Sequence, residues 1–385
     1  MRIAVITRRW GKTSGVGRVV ADLVDVLAAR GHAVTVVTAS PPPGEAPPGV
    51  TFARVPVPAR PFALRVALFA RRATRLARAG GFDIVHGNGA DCRGADVITA
   101  HSCHRHAMRR LRREGPLRDR LKKWLNPVHP VVFRIEAFNN SPRGHRRLVA
   151  CAAGIKREIV ATYGTDPARI AVVNNGVDLA RFRPENRERD RAELRARHGL
   201  GAEPVLLFMG YEFERKGLRP LLAALARLRR TDARLLAVGK PADRWARRLV
   251  ARHGLDGRVV FAGPVADAER YFAAADAFVF PTLYEANSLV LLEAFASGLP
   301  VVTTRGVGAA DDYIRHGENG LLVDAPPAPA ALADALDRLL DDPALASRLG
   351  AAARETARSL SREAAADGVL AVYEAVLAEK RGEAS

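Results

Sequence analysis

The sequence has no stretch approaching the roughly 20 consecutive apolar residues that span a bilayer, and its opening MRIAVITRRW runs straight into a strand-like segment. The expectation is a chain without an export signal, located in the cytoplasm. Cysteine is sparse. Cys92, Cys103 and Cys151 make an odd count with no framework spacing, which argues against a disulfide scaffold and suits a reducing compartment. Lysine is scarce beside arginine, and acids are outnumbered: Lys+Arg 60 against Asp+Glu 41 leave a formal net charge of +19. Heavy Ala and Arg usage suits a GC-rich genome, yet it still gives a positive surface. Such a surface draws phosphates of any origin, from nucleic acid, an anionic membrane or a charged small substrate.

Several familiar motifs are also missing. RRWGKTSG contains Gly-Lys-Thr, but a P-loop needs a further glycine where Ile6 stands. SGVGRVV supplies Gly15 and Gly17 but has Val20 in place of a third glycine, and TVVTAS lacks the acid that would hold a ribose, so NAD binding is not expected. The Gly15–Gly17 turn has two open readings: a tight strand-to-helix turn, or a turn that lets an anion approach backbone N–H groups. HSCHRH, with His101, Cys103, His104 and His106, lacks paired-ligand spacing, so no metal is expected. His101 follows the strand-like DVITA, at a carboxyl strand end where open α/β sheets bind ligands.

What is present is a β-α-β rhythm. Short apolar runs (RIAVIT, AVTVVTA, FDIVHGN, ADVITAHS, RLVACA, IAVVNNG) alternate with helical patterns, and from Pro204 the rhythm restarts with PVLLFMG, ARLLAVG, RVVFAG, DAFVFPT and PVVTTRG. Two parallel-sheet halves are expected in a 385-residue chain. A polar segment with Pro184 and Pro204 puts the hinge near Phe182 to Glu188. The expected domains are 1–183 and 184–365, with a terminal helical segment 366–385. From His104 to Lys123 the chain is densely cationic, followed by Trp124, Phe133 and Phe138. Residues 104–147 therefore read either as a solvated surface or as a region that meets an anionic membrane or acceptor.

The segment TLYEANSLVLLEAFASGLPVV sets Glu285 in a loop between a buried strand and a helix, with Asn287 or Ser288 at the cap position and Leu289, Leu292 and Phe295 as core candidates. Glu293 lies further along the helix. A free helix N-terminus seats a phosphate and a loop carboxylate beside it accepts from neutral hydroxyls, so together they describe a nucleotide sugar. Glu293 would then face ribose hydroxyls. The alternative makes Glu285 a dipole partner and puts Glu293 on the solvent face. Arg215 and Lys216, in GYEFERKG after the first strand of the second half, are cations placed to face the same diphosphate, or form an ordinary basic loop. A transferase that expels a nucleoside diphosphate without a metal needs such fixed charges.

On these residues the chain resembles the retaining glycosyltransferases of family 4 over nearly its full length. Glu285 and Glu293 match the family's E-x7-E motif, SGLPVV its continuation, Arg215-Lys216-Gly217 its donor-phosphate signature and NNGVDLARF its interdomain signature. GYEFERKG and the N-terminal half also look like the lipopolysaccharide-core glucosyltransferases. The resemblance implies the GT-B fold, two Rossmann-like parallel-sheet domains facing a cleft, with the last helix crossing back to the first. It implies metal-independent, retaining transfer of a hexose from a nucleoside-diphosphate sugar, a UDP sugar favoured, to a lipid-linked or glycan acceptor in cell-surface or lipopolysaccharide-like biosynthesis. No separate cofactor is implied. Glu285 would contact donor-sugar hydroxyls, Glu293 the ribose, Arg215 and Lys216 the diphosphate, and the backbone of Asn287, Ser288 and Leu289 the rest of the phosphate cradle. Gly15 to Gly17 would lie over the donor phosphates and His101 at the acceptor side.

Two departures stand out. Ala286-Asn287-Ser288 replaces the frequent Gly-Phe-Gly or Gly-Phe-Pro, and Ser14-Gly15 replaces Gly-Gly. The first bears on the donor sugar. Rival readings are another nucleotide-sugar enzyme on the same fold, and a basic nucleic-acid-binding protein, for which no base-reading motif is present.

Overall fold

The computed structural model describes residues 1–11, 14–42, 46–114 and 126–383, and for 110–114 the backbone alone. The chain divides into two compact units: Met1–Asn175 together with Arg362–Ser385, and Gly176–Ser361. The dividing points fall at 175/176 and 361/362, where the sequence suggested 183/184 and 365/366. Phe182 to Glu188 lies inside the second unit because Arg187, Arg191 and Arg195, on the helix Asn186–Arg197, all ion-pair with Asp276. Those arginines belong to the polar stretch that reads as linker in the sequence.

In the N-terminal unit, seven strands run in the order β3-β2-β1-β4-β5-β6-β7. They are β1 Arg2–Ile6, β2 Ala33–Thr38, β3 Val50–Arg54, β4 Ile84–Asn88, β5 Ala95–Ala100, β6 His145–Ala150 and β7 Ile170–Val172. Every pairing is parallel, with Ile3 set between Val34 and Ile84. A sheet covered on both faces needs nearly continuous apolar strands, and RIAVI supplies one, buried throughout after Arg2. The last helix, Arg362–Gly382, belongs to this unit. It places Val369, Val372, Tyr373 and Val376 in one core with Val20, Val24 and Leu27 of the helix Gly15–Ala29. Tyr373 is fully buried and its hydroxyl meets His86 Nδ1 at 2.6 Å. His86 Nε2 in turn meets Thr99 Oγ1 at 2.7 Å, and burial drives the imidazole down to about 3.

The C-terminal unit carries six parallel strands in the order β10-β9-β8-β11-β12-β13. These are β8 Val205–Gly210, β9 Arg234–Gly239, β10 Val259–Gly263, β11 Ala277–Phe280, β12 Val301–Thr304 and β13 Leu321–Val323. Phe208, Phe213, Phe278 and Phe280 are fully buried, and the Phe208–Phe280 and Phe278–Phe280 ring centroids lie 6.2 and 5.8 Å apart. This aromatic floor lies beneath the loops that leave β8 and β11. Among the described residues no helix is long and apolar enough to cross a membrane. Of the cationic region singled out in the sequence, residues 115–125 lie outside the described residues.

Candidate functional site

In the C-terminal sheet the chain leaves β8 toward β9 on one side and leaves β11 toward β12 on the other. The loops at the two carboxyl ends therefore diverge, opening the crevice in which such sheets bind ligands. Both signalled segments end there. The loop after β8 carries Arg215 and Lys216, and the loop after β11 carries Glu285. The Lys216 ammonium contacts Glu285 Oε2, with the two side chains only 13% and 18% exposed. Arg215 Nη1 stands 4.0 Å from the same oxygen, donates to the Tyr284 carbonyl, and its Nε donates to Glu212 Oε2 at 2.9 Å. Lys216 also lies over the Phe280 ring, 5.0 Å from its centroid. Burial pulls the Lys216 ammonium down to about 7, Arg215 adds to the fall, and Glu212 opposes it. The touching Glu285 carboxylate favours the charged form, so we take the pair as ionised.

One glycine permits this approach, and another lets the loop after β12 close on Glu285. Gly217 has φ +87°, and a Cβ there would lie 1.9 Å from the Pro281 carbonyl oxygen. Gly308 has φ +63°, and its Cβ would lie 2.5 Å from the carbonyls of Glu285 and Ala286. A side chain at Gly217 would push the β8 and β11 loops apart, and one at Gly308 would push the loop after β12 off Glu285.

Directly after Glu285 the helix Leu289–Ala296 begins. Of the two cap candidates Ser288 occupies the N-cap position, though its side chain makes no cap hydrogen bond and the first turn has no acid. The end thus keeps backbone donors and partial positive charge. Leu292 and Phe295 are buried core as expected, whereas Leu289 is half-buried. Glu293 is 2% exposed, which excludes the solvent-face alternative. Its carboxylate is held within the unit, with Asn287 and Ser288 also buried.

The N-terminal unit has its own crevice position, at β1 and β4. His101, just past β5, meets Asn88 Oδ1 through Nε2 at 3.0 Å, while Asn88 Nδ2 donates to the Ile6 carbonyl at 3.1 Å. With the amide so oriented, Oδ1 accepts and the His101 proton must sit on Nε2, leaving the lone pair on Nδ1. Burial lowers this imidazole to about 4, so it is neutral near pH 7. The glycines of the turn after β1 have different duties. Gly17 packs so tightly that a Cβ would fall 2.3 Å from the Gly11 carbonyl oxygen, and its N–H is already bonded to Ser14 Oγ at 3.1 Å. Gly15 has open space around it. The anion reading thus narrows from the whole turn to the Gly15 end.

The histidine-cysteine cluster disperses. His104 Nε2 lies 2.9 Å from His129 Nδ1, Cys103 is a buried free thiol raised to about 11 by burial, and His106 reaches toward Glu158. Among the described residues no group of three or more His, Cys, Asp or Glu side chains is arranged to hold a metal. Sequence reasoning missed Asn88, Gly308 and Glu212. Gly306-Val307-Gly308 after a strand was a legible turn signal, but its closeness to Glu285 is tertiary.

Family models fit both halves: residues 13–181 match Glycosyltransferase Family 4 and residues 203–342 match Glycosyl transferases group 1. A D-inositol 3-phosphate glycosyltransferase of Acidothermus cellulolyticus is 31% identical over 410 residues, covering 96% of this chain and 88% of that protein. The chain belongs to glycosyltransferase family 4. The enzyme of the same name from Streptomyces griseus is 36% identical over 281 residues, covering 66% of this chain and 58% of that protein. Against that relative and a second from Nocardia farcinica, the chain spans little more than half their length, 58% and 54%. Among solved structures, WaaG, a glycosyltransferase involved in lipopolysaccharide biosynthesis, superposes with TM-score 0.78 at 26% identity, covering 95% of this chain and 98% of its own. Sucrose-phosphate synthase from Thermosynechococcus elongatus, at TM-score 0.78 and 24% identity over 98% of this chain and 99% of its own, shares the fold. The architecture is GT-B: two Rossmann-like units, each built on a wholly parallel sheet.

Proposed function

We propose that the protein is a retaining, metal-independent glycosyltransferase that moves a hexose from a nucleoside-diphosphate sugar to an acceptor hydroxyl. One observation carries this reading: Arg215, Lys216 and Glu285 converge beside a helix N-terminus whose cap makes no side-chain bond, at the crevice of the C-terminal sheet. The diphosphate takes Lys216, Arg215 and the backbone N–H groups of Asn287 to Leu289. Glu285, released from Lys216, accepts from donor-sugar hydroxyls, and Glu293 is assigned to the ribose. In the N-terminal unit, Gly15 is assigned to donor phosphate and neutral His101 to the acceptor, its Nδ1 lone pair open to a hydroxyl proton.

Bond changes then balance simply. The anomeric C–O bond to the diphosphate breaks as the acceptor oxygen bonds to the same face, and the acceptor proton passes to the departing diphosphate oxygen. The protein positions the reactants and neutralises growing charge.

The donor is assigned as a UDP hexose, and the setting as cell-surface glycan or lipopolysaccharide-like synthesis at the cytoplasmic side of a membrane. Likeness to WaaG, a glycosyltransferase involved in lipopolysaccharide biosynthesis, supports the lipopolysaccharide-like part of this reading. A second acceptor reading, a phosphorylated polyol, is favoured by the relatives named D-inositol 3-phosphate glycosyltransferases. A thermal-shift panel of UDP, GDP and ADP sugars tests the core. A ligand at about 100 times its dissociation constant should stabilise by about 2.7 kcal/mol. No shift with any of them sinks the donor assignment, and a product of inverted anomeric configuration by NMR sinks retention.

A further inference from the structure

Away from the carboxyl-end loops, the N-terminal unit carries a cleft of about 710 Å³ at the amino ends of β4 to β7. His145, the first residue of β6, lines it and is 5% exposed. Its Nδ1 faces the Asn139 carbonyl at 2.8 Å. A carbonyl only accepts, so the neutral ring carries its proton on Nδ1 and a lone pair on Nε2. That Nε2 is buried without a hydrogen-bond partner, and a buried polar atom of this kind calls for one.

The acids of the cleft are committed. Asp96 takes the Val85 N–H and Lys380, Glu379 and Glu383 take Arg147 and Arg146, and Asp166 takes the Ala168 N–H. Arg78, Arg143 and Arg169 line the same cleft, and their guanidiniums make no hydrogen bond or ion pair with the described residues. Guanidiniums seek planar pairs of anionic oxygens, whereas the imidazole lone pair seeks an O–H. Hydrogen phosphate offers both; sulfate near neutral pH offers only oxygens.

We propose that this cleft is a second anion site that takes a hydrogen phosphate group, free or on a small ester, through Arg78, Arg143 and Arg169, with its O–H donated to His145. The site is independent of the donor assignment, whose residues lie on carboxyl-end loops, Gly15 in this unit and the others in the C-terminal unit.

Titration calorimetry of the full chain with inorganic phosphate, glycerol 3-phosphate and sulfate at matched ionic strength tests it. Arg143 and Arg169 are exposed, so Arg143→Gln/Arg169→Gln should fold normally and weaken phosphate binding by about tenfold or more, given the strength of hydrogen bonds to charged groups. Lys216→Ala should leave this binding unchanged. Tighter binding of either phosphate species than of sulfate supports the site, and the stronger of the two identifies the source. Unchanged affinity in the double variant, loss of all phosphate binding in Lys216→Ala, or sulfate binding as well as phosphate each overturns it.

Discussion

Replacing Lys216 with alanine removes the cation that touches Glu285 and faces the proposed diphosphate. The pair is largely shielded, at 13% and 18% exposure, and the remaining cation, Arg215, stands 4.0 Å from the carboxylate. At that distance and an effective dielectric of about 20, the attraction is about 4 kcal/mol before desolvation is subtracted. Glu285 is therefore not stranded, and the expected loss of folding stability is modest, about 1–3 kcal/mol. The loss in catalysis should be larger in its consequence. A pre-set charge aimed at the leaving group contributes about 2.7–4 kcal/mol to the transition state, so turnover should fall roughly hundred- to thousandfold. Initial rates at saturating donor measure the catalytic loss and urea unfolding the loss of stability. A Lys216→Ala enzyme with wild-type turnover refutes the assignment. So does a rate loss that disappears once the unfolded fraction is corrected for, since that outcome leaves Lys216 a purely structural role.

Glu285→Gln should lose charge-assisted hydrogen bonds to the sugar worth about 1.5–3 kcal/mol each, and normal hexose transfer by this variant rejects its role. Gly217→Ala forces a Cβ into the Pro281 carbonyl at φ +87° and should cost about 1–3 kcal/mol of stability while displacing Lys216; an unaltered urea midpoint would contradict the geometry. Gly15→Ala meets nothing within 4 Å, so its melting temperature should hold while donor affinity drops, and wild-type affinity removes Gly15 from the donor site. His86 and His101 are lowered to about 3 and about 4 from 6.5, so the unfolded chain takes up protons that the folded chain refuses. Stability is then complete above about pH 6.5 and declines as pH falls toward 4, by at most about 1.4 kcal/mol per pH unit for each ring; denaturant midpoints that stay level from about pH 7.5 to about 5 would disprove it.

The parallel-sheet halves were legible because buried strands need unbroken apolar runs, and VLLFMG, AFVF and VVTT are such runs. The strand-loop-helix setting of Glu285 was legible for the same reason. Less readable was the Asn186–Arg197 helix, whose polar sequence gives no hint that three of its arginines meet on Asp276. Nor could the sequence choose between a solvent-facing and a buried Glu293. A helix eight residues long has too little periodicity to mark an inner face when nearly all its neighbours are apolar.

By itself the sequence determined the order of strands and helices, the loops that carry Arg215, Lys216 and Glu285, and the family pattern those residues form. Tertiary structure alone decided that the two loops meet. Contact between residues 216 and 285 depends on β8 and β11 being sheet neighbours, a pairing set by how whole apolar faces are buried together rather than by any local preference. It likewise decided that His101 is neutral, since that depends on the depth of burial, and that its Nε2 meets Asn88, thirteen residues away in the chain but on the strand next to β5.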